Sequence, residues 1–141
     1  MVSSASAERT FVLVKPDAVR RRLVSEILGR FERKGLGIDA MALRRMDERL
    51  ADLHYAEHVA EPFYPALREF MTSGPLVALV LSGSGVVEMV RGLVGATDGR
   101  RAVPGTIRGD LACSSRENLV HAADSAETAR REIALWFPEL T

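Results

Sequence analysis

Two short runs constrain this chain more than anything else in it. Phe11-Val-Leu-Val14 and Leu76-Val-Ala-Leu-Val-Leu81 contain no polar residue. Strands of that composition have no side to turn towards water, so they read as strands buried on both faces. Such a sheet needs helices packed on either side, and the rest of the sequence supplies them. Leu23, Val24, Ile27, Leu28 and Phe31 recur at helical spacing, and Gly35 follows Lys34 where a terminating glycine belongs, which gives a helix across 20–34. Val86, Val87, Val90, Leu93 and Val94 outline another, ended by Gly95. Ala129, Ile133 and Trp136 mark a third. Asp124 and Glu127 stand ahead of it at the spacing of a capping box, and Pro138 ends it. Interrupted alternation from Ile38 to Met46 reads as a second strand, and Leu119-Val120 as a last short one. Asp47 can cap a short helix through His54, Tyr55 and His58, and a turn or two follows at Ala66 to Met71. The expected fold class is α+β: a ferredoxin-like βαββαβ antiparallel sheet with helices on its faces and short helices inserted in the middle.

The 141 residues fit one domain, expected over 9–141, behind a flexible arm at 1–8. The arm lacks the basic and apolar regions of a secretory signal, and no apolar run approaches the ~20 residues of a membrane helix. A cytoplasmic protein with no membrane partner is expected. Cys113 is the only cysteine, which excludes an intrachain disulfide and a cysteine-based zinc site. Nineteen basic residues balance nineteen acidic ones, so a general binder of nucleic acid is not expected. Within the basic set, 17 are arginine and only Lys15 and Lys34 are lysine. That asymmetry fits codon bias with solvated arginines, or a few arginines gripping phosphate with their planar fork.

Three places carry candidate chemistry. His121 follows a strand end and precedes a helix, a junction that aims a side chain into a cleft. Glu132 on that helix can hold one ring nitrogen and leave the other as a nucleophile, or His121 is a structural histidine. Lys15, at the carboxyl end of the first strand, is placed like a phosphate-binding point charge or is a surface lysine beside a turn. Arg108, between two glycines in Gly105-Thr-Ile-Arg-Gly-Asp110, offers a fork to a polyphosphate or belongs to a polar turn. From Ala96 to Gly109 there is no periodicity, and a loop of that length is often functional. His54 and His58 lie four apart, but the pattern is H-Y-A-E-H with no evident third ligand, and it reads as a solvated or core-edge pair with no metal. Phe63 stacks on a planar base or joins the core.

Taken together these segments resemble the nucleoside diphosphate kinase family. Phe-Val-Leu-Val-Lys-Pro-Asp (11–17), His-Tyr-Ala-Glu-His (54–58), Pro-Phe-Tyr (62–64), Thr-Ser-Gly-Pro-Leu-Val-Ala (72–78), Gly-Thr-Ile-Arg-Gly-Asp (105–110), Asn-Leu-Val-His (118–121), Asp-Ser (124–125) and Glu-Ile-Ala-Leu-Trp-Phe (132–137) carry the likeness in order. It extends over about 9 to 139. The resemblance implies transfer of the γ-phosphate of a nucleoside triphosphate to a nucleoside diphosphate through a phosphohistidine on His121, in a ping-pong mechanism. It implies that Glu132 orients His121 and that Tyr55 lies beside the transferred group. Lys15, Arg91, Thr97 and Arg108 would hold phosphate, Asn118 the ribose, and Phe63 the base by stacking without reading its edge. Mg²⁺ would arrive with the nucleotide phosphates. A homo-oligomer is implied, a hexamer more than a tetramer, because the 96–109 loop lies where hexamers make trimer contacts. The chain stops soon after Phe137, so no long extension is expected to reinforce an interface.

The sequence departs from the family pattern at several places. Ala122-Ala123 follows the histidine where Gly-Ser is usual, which removes a hydroxyl near the glutamate and leaves Glu132 or water to act alone. Ala122 also forbids a left-handed turn there. Ala18 and Arg22 replace common glycines, and Glu61 stands where a basic residue is frequent. The alternative is a weakly active or non-catalytic nucleotide-binding module of the same fold.

Overall fold

The computed structural model describes residues 8–140. The expected arm at Met1–Ala7 lies outside the described residues, while Glu8 opens the first strand. Four strands form one antiparallel sheet: β1 (Glu8–Val14), β2 (Gly37–Arg45), β3 (Pro75–Gly83) and β4 (Val120–Ala122), in the order β2-β3-β1-β4. β1 and β3 are the two apolar runs, and they pair with each other at the centre, Phe11 opposite Val80 and Leu13 opposite Ala78. That position explains their composition. Val12, Val14, Val77, Leu79 and Leu81 point into one core, with α1 (Pro16–Arg20), α2 (Val24–Arg33), α5 (Val86–Val94) and α6 (Ile107–Leu111). Phe11, Leu13, Leu76, Ala78 and Val80 point into the other, with α3 (Glu48–His54), α4 (Tyr64–Met71) and α7 (Ala126–Trp136). Alternation along each strand thus feeds two separate cores. The edge strand β2 shows the opposite pattern and leaves Met41 and Leu43 exposed. The arrangement is the expected ferredoxin-like βαββαβ sheet with short helices inserted.

Several local expectations change. The single helix across 20–34 is two, because Pro16 starts α1 directly after β1 and the chain breaks at Arg21–Leu23. Arg22 adopts φ 61 there, the left-handed region that glycine favours and that costs a side chain about 1–2 kcal/mol. Asp47 caps α3 as expected, accepting from the Leu50 N–H at 2.7 Å. The cap of α7 is Ser125, not Asp124: Ser125 has the extended backbone of a cap, and its hydroxyl accepts from the Thr128 N–H at 3.1 Å. The helix ends at Trp136, and Pro138–Leu140 adds a 3₁₀ turn. The last strand starts at Val120, because Leu119 is left-handed at φ 75.

The 96–109 segment is not without structure, since its end folds into α6. Thr106 caps that helix through the Gly109 N–H, and Ile107 is fully buried. Only glycine fits at 109, where a Cβ would collide with the Val103 carbonyl. Arg30 of α2 ties the loop down through Asp110 at 2.8 Å and the Gly105 carbonyl at 3.3 Å.

Candidate active site

β4 is only three residues long, and its middle residue is His121, paired with Leu13 of β1. Being on an edge strand that ends at once, the half-buried imidazole sits between two hollows. Tyr55, Asp124, Arg131 and Glu132 line one, and Arg91, Thr97 and Arg108 line the other; His121 and Ala122 belong to both. Five of the residues singled out from sequence, Tyr55, Arg91, Thr97, Arg108 and Glu132, therefore converge on the His121 imidazole.

On the α7 side, Glu132 is buried and its two carboxylate oxygens lie 2.9 and 3.1 Å from His121 Nε2. A carboxylate only accepts, so Nε2 carries the proton and the lone pair of the neutral ring is on Nδ1. Tyr55 is half-buried; burial, with Glu132 close by, pushes its phenol up and keeps it protonated.

The opposite side is built by three distant segments. Lys15 is buried at the end of β1, where Nζ donates to Asn118 Oδ1 at 2.7 Å and to the Arg116 carbonyl at 3.0 Å. Burial brings its ammonium down to about 8, against the pull of Asp17 and with a further push from Arg108. Asn118 in turn donates through Nδ2 to the Thr97 carbonyl at 2.9 Å. Arg108 spreads its fork over the carbonyls of Gly95, Asn118 and Val120. Burial and the neighbouring Arg91 lower its guanidinium below the ordinary arginine range, though it stays charged at neutral pH. Arg91 and Thr97 are exposed at the rim. Phe63 is also exposed and lines a further hollow with Leu67, Ser115 and Arg116, apart from the two that meet at His121.

Two residues of this site are not apparent in the sequence. Asp17 is buried and accepts from the Leu119 N–H at 3.1 Å, pinning the left-handed turn that launches His121; burial pushes its carboxyl up. Its signal is its place two residues after Lys15. His54, expected at the surface or core edge, is 2% exposed and packs edge-on against His121 with ring centroids 4.9 Å apart. Its companion His58 is exposed and lines the rim of the same hollow as Tyr55 and Glu132. Among the described residues, His54, His121 and Glu132 are the one cluster with the spacing of metal ligands. However, the Trp136 indole donates to His54 Nδ1 at 3.0 Å, which leaves the His54 proton on Nε2, the nitrogen facing the cluster. A protonated nitrogen does not ligate, so this cluster does not fit a resident metal.

The family model described as nucleoside diphosphate kinase matches residues 8–141. The chain belongs to the nucleoside diphosphate kinase family. It is 64% identical to the nucleoside diphosphate kinase of a Nocardioides species, over 94% of this chain and 98% of that one. To that of Rhodococcus jostii it is 60% identical, over 94% and 96%. Among solved structures, a halophilic nucleoside diphosphate kinase from Halobacterium salinarum in complex with CDP superposes with a TM-score of 0.90 at 48% identity, covering 92% of this chain and 87% of that one. The protein is thus an enzyme of nucleotide phosphotransfer.

The departures from the family pattern can now be located. Ala122 is absent from the left-handed residues and continues β4, so it brings no strain. Ala123 is buried in the α7-side core, with its N–H on the Phe11 carbonyl at 3.0 Å. Arg22, where the sequence resemblance led to an expectation of glycine, does carry a left-handed backbone.

Proposed function

We propose that this nucleoside diphosphate kinase works by a ping-pong mechanism through a phosphohistidine on Nδ1 of His121. The observation that carries the reading is the Glu132–Nε2 bond, which leaves the ring lone pair on Nδ1 in a histidine that shares a hollow with Arg91, Thr97 and Arg108. In the first half-reaction Nδ1 attacks the γ-phosphorus of a nucleoside triphosphate. The Nδ1–P bond forms, the bond to the β,γ-bridging oxygen breaks, and the diphosphate leaves with that electron pair. The ring becomes cationic and Glu132 balances the charge. A terminal oxygen of an acceptor diphosphate then attacks the same phosphorus and restores the imidazole. Mg²⁺ enters as part of the substrate, on the phosphates. Lys15, Arg91, Thr97 and Arg108 hold those phosphates, Tyr55 lies beside the transferred group and Asn118 holds the ribose. The exposed Phe63 ring takes any base by stacking, which supports broad base specificity. The reaction is nearly balanced, so positioning and charge neutralisation do most of the catalysis.

The decisive experiment is incubation with γ-labelled ATP. Wild type is expected to take up one acid-labile, base-stable label per chain, and His121→Ala none. Absence of label on both would instead favour the binding-module reading. The same proposal includes a cytoplasmic homo-oligomer, a hexamer rather than a tetramer, supported by the exposed Val103 in the 96–109 segment. No membrane partner and no specific nucleic acid is part of it; among the described residues no helix is long and apolar enough to cross a membrane.

A further inference from the structure

The mechanism above leaves one buried titratable group beside the nucleophile unused. His54 ends α3, has no exposed side-chain surface, and packs its ring against Phe11, Tyr55, His121 and Trp136. Tryptophan has an N–H and no acceptor, so the 3.0 Å contact from Trp136 Nε1 requires a lone pair on His54 Nδ1. Burial, reinforced by His121 and Arg131, holds the imidazolium down at about 2, so the ring is neutral and carries one proton. That proton is on Nε2.

Nε2 itself is buried and has no hydrogen bond. A buried N–H without an acceptor is costly, and here one acceptor faces it: Glu132 Oε2, at 3.6 Å. A contraction of about 0.5 Å brings the pair within hydrogen-bond range. Hydrogen bonds of catalytic groups are often long before substrate binds and tighten afterwards. Glu132 and Trp136 lie one turn apart on α7, so a single rigid helix presents both to His54. Arg131, a cation 3.7 Å from the carboxylate, has a partly exposed side chain, and Ala123 after the strand offers no side-chain polar group.

We propose that His54 is a positioning residue for phosphoryl transfer: fixed by the Trp136 indole on one nitrogen, it holds with the other the carboxylate that orients His121. The order of donors is Trp136 to His54, His54 to Glu132, and His121 to Glu132. No proton is transferred along it. Its role is to fix the carboxylate, and through it the His121 tautomer with a free Nδ1. This inference rests on His121 being the nucleophile.

Two near-isosteric replacements separate the two ends of His54. The amide of glutamine reaches the position of Nε2 and can donate to Glu132. The amide of asparagine reaches only the position of Nδ1, where it can accept from Trp136. His54→Asn is expected to slow single-turnover phosphorylation of His121 roughly tenfold, the size of one hydrogen bond to a charged group, with nucleotide Kd unchanged. His54→Gln is expected to stay within about threefold of wild type. Equal losses in both variants, or a loss in Kd instead of rate, would overturn the proposal by making His54 a packing residue. A second measurement needs no variant: ¹⁵N NMR of the wild-type imidazoles should show His54 as a non-titrating ring protonated on Nε2. A proton on Nδ1, or a titrating His54, sinks it. If wild type takes no label from ATP, the proposed function fails and the positioning role with it, while the His54 nitrogen shifts still decide the donor order from Trp136 to His54.

Discussion

The two walls around His121 use charge in opposite ways. On the α5–α6 side, Lys15 and Arg108 spend their donors on neutral oxygens, an asparagine amide and four backbone carbonyls. Their geometry is fixed while their positive charge is left largely unanswered, ready for an anion. On the α3–α7 side, the carboxylate of Glu132 is buried between the imidazoles of His121 and His54, and its negative charge disfavours an anion there. The first wall is assembled from segments about a hundred residues apart; the second hangs mainly on one helix. Side chains on the first wall should therefore govern nucleotide affinity, and those on the second the rate of transfer.

Breaking the second wall gives the largest effect. Glu132→Ala is expected to lower the single-turnover phosphorylation rate by about 100-fold, with nucleotide Kd nearly unchanged; rapid-quench kinetics against equilibrium binding reads the split. Next is the first wall: Arg108→Ala should weaken nucleotide binding by about 10- to 100-fold, since it removes a charged multidentate donor, with a smaller change in the rate at saturation. Titration calorimetry measures it. A loss confined to rate would put Arg108 on the wrong side of the comparison.

A pH effect sharpens the same contrast. Lys15, lowered to about 8 by burial, is charged below that pH and neutral above it. Phosphate favours the charged form, so between about 8 and the ordinary 10.5 nucleotide binding must take up a proton. Affinity is expected to fall by up to about tenfold per pH unit across that window. Calorimetry in buffers of different ionisation enthalpy counts the proton, and an uptake of zero contradicts the assignment. The smallest effect lies outside both walls. Arg22→Gly relieves about 1–2 kcal/mol of left-handed strain and loses about 0.4–1 kcal/mol to chain entropy. A net gain of about 0.5 kcal/mol in chemical denaturation, with affinity and rate unchanged, is expected.

The central strands were legible because burial on two faces demands an unbroken apolar run. The helix break at Arg21–Leu23 was not, because three consecutive arginines show no apolar face and the left-handed Arg22 breaks the propensity rule. Thr106 and Ser125 show that the cap is chosen by backbone conformation among several eligible side chains. In the site, His121 and Lys15 stood out through their positions at strand ends. His54 did not, since its meaning depends on Trp136 and Glu132, which lie some eighty residues away and meet it only where α7 packs beside α3 on one face of the sheet.

The scarcity of lysine has a practical consequence. Apart from the terminus, the chain has two primary amines, Lys34 exposed at a helix end and Lys15 buried at the end of β1. With its ammonium lowered to about 8, Lys15 is in mildly alkaline buffer a free amine and so a nucleophile towards acylating reagents, limited by access. Mass spectrometry of one modified peptide against the other therefore gives a two-site footprint, with Lys34 as internal standard and Lys15 reporting occupancy of the cleft.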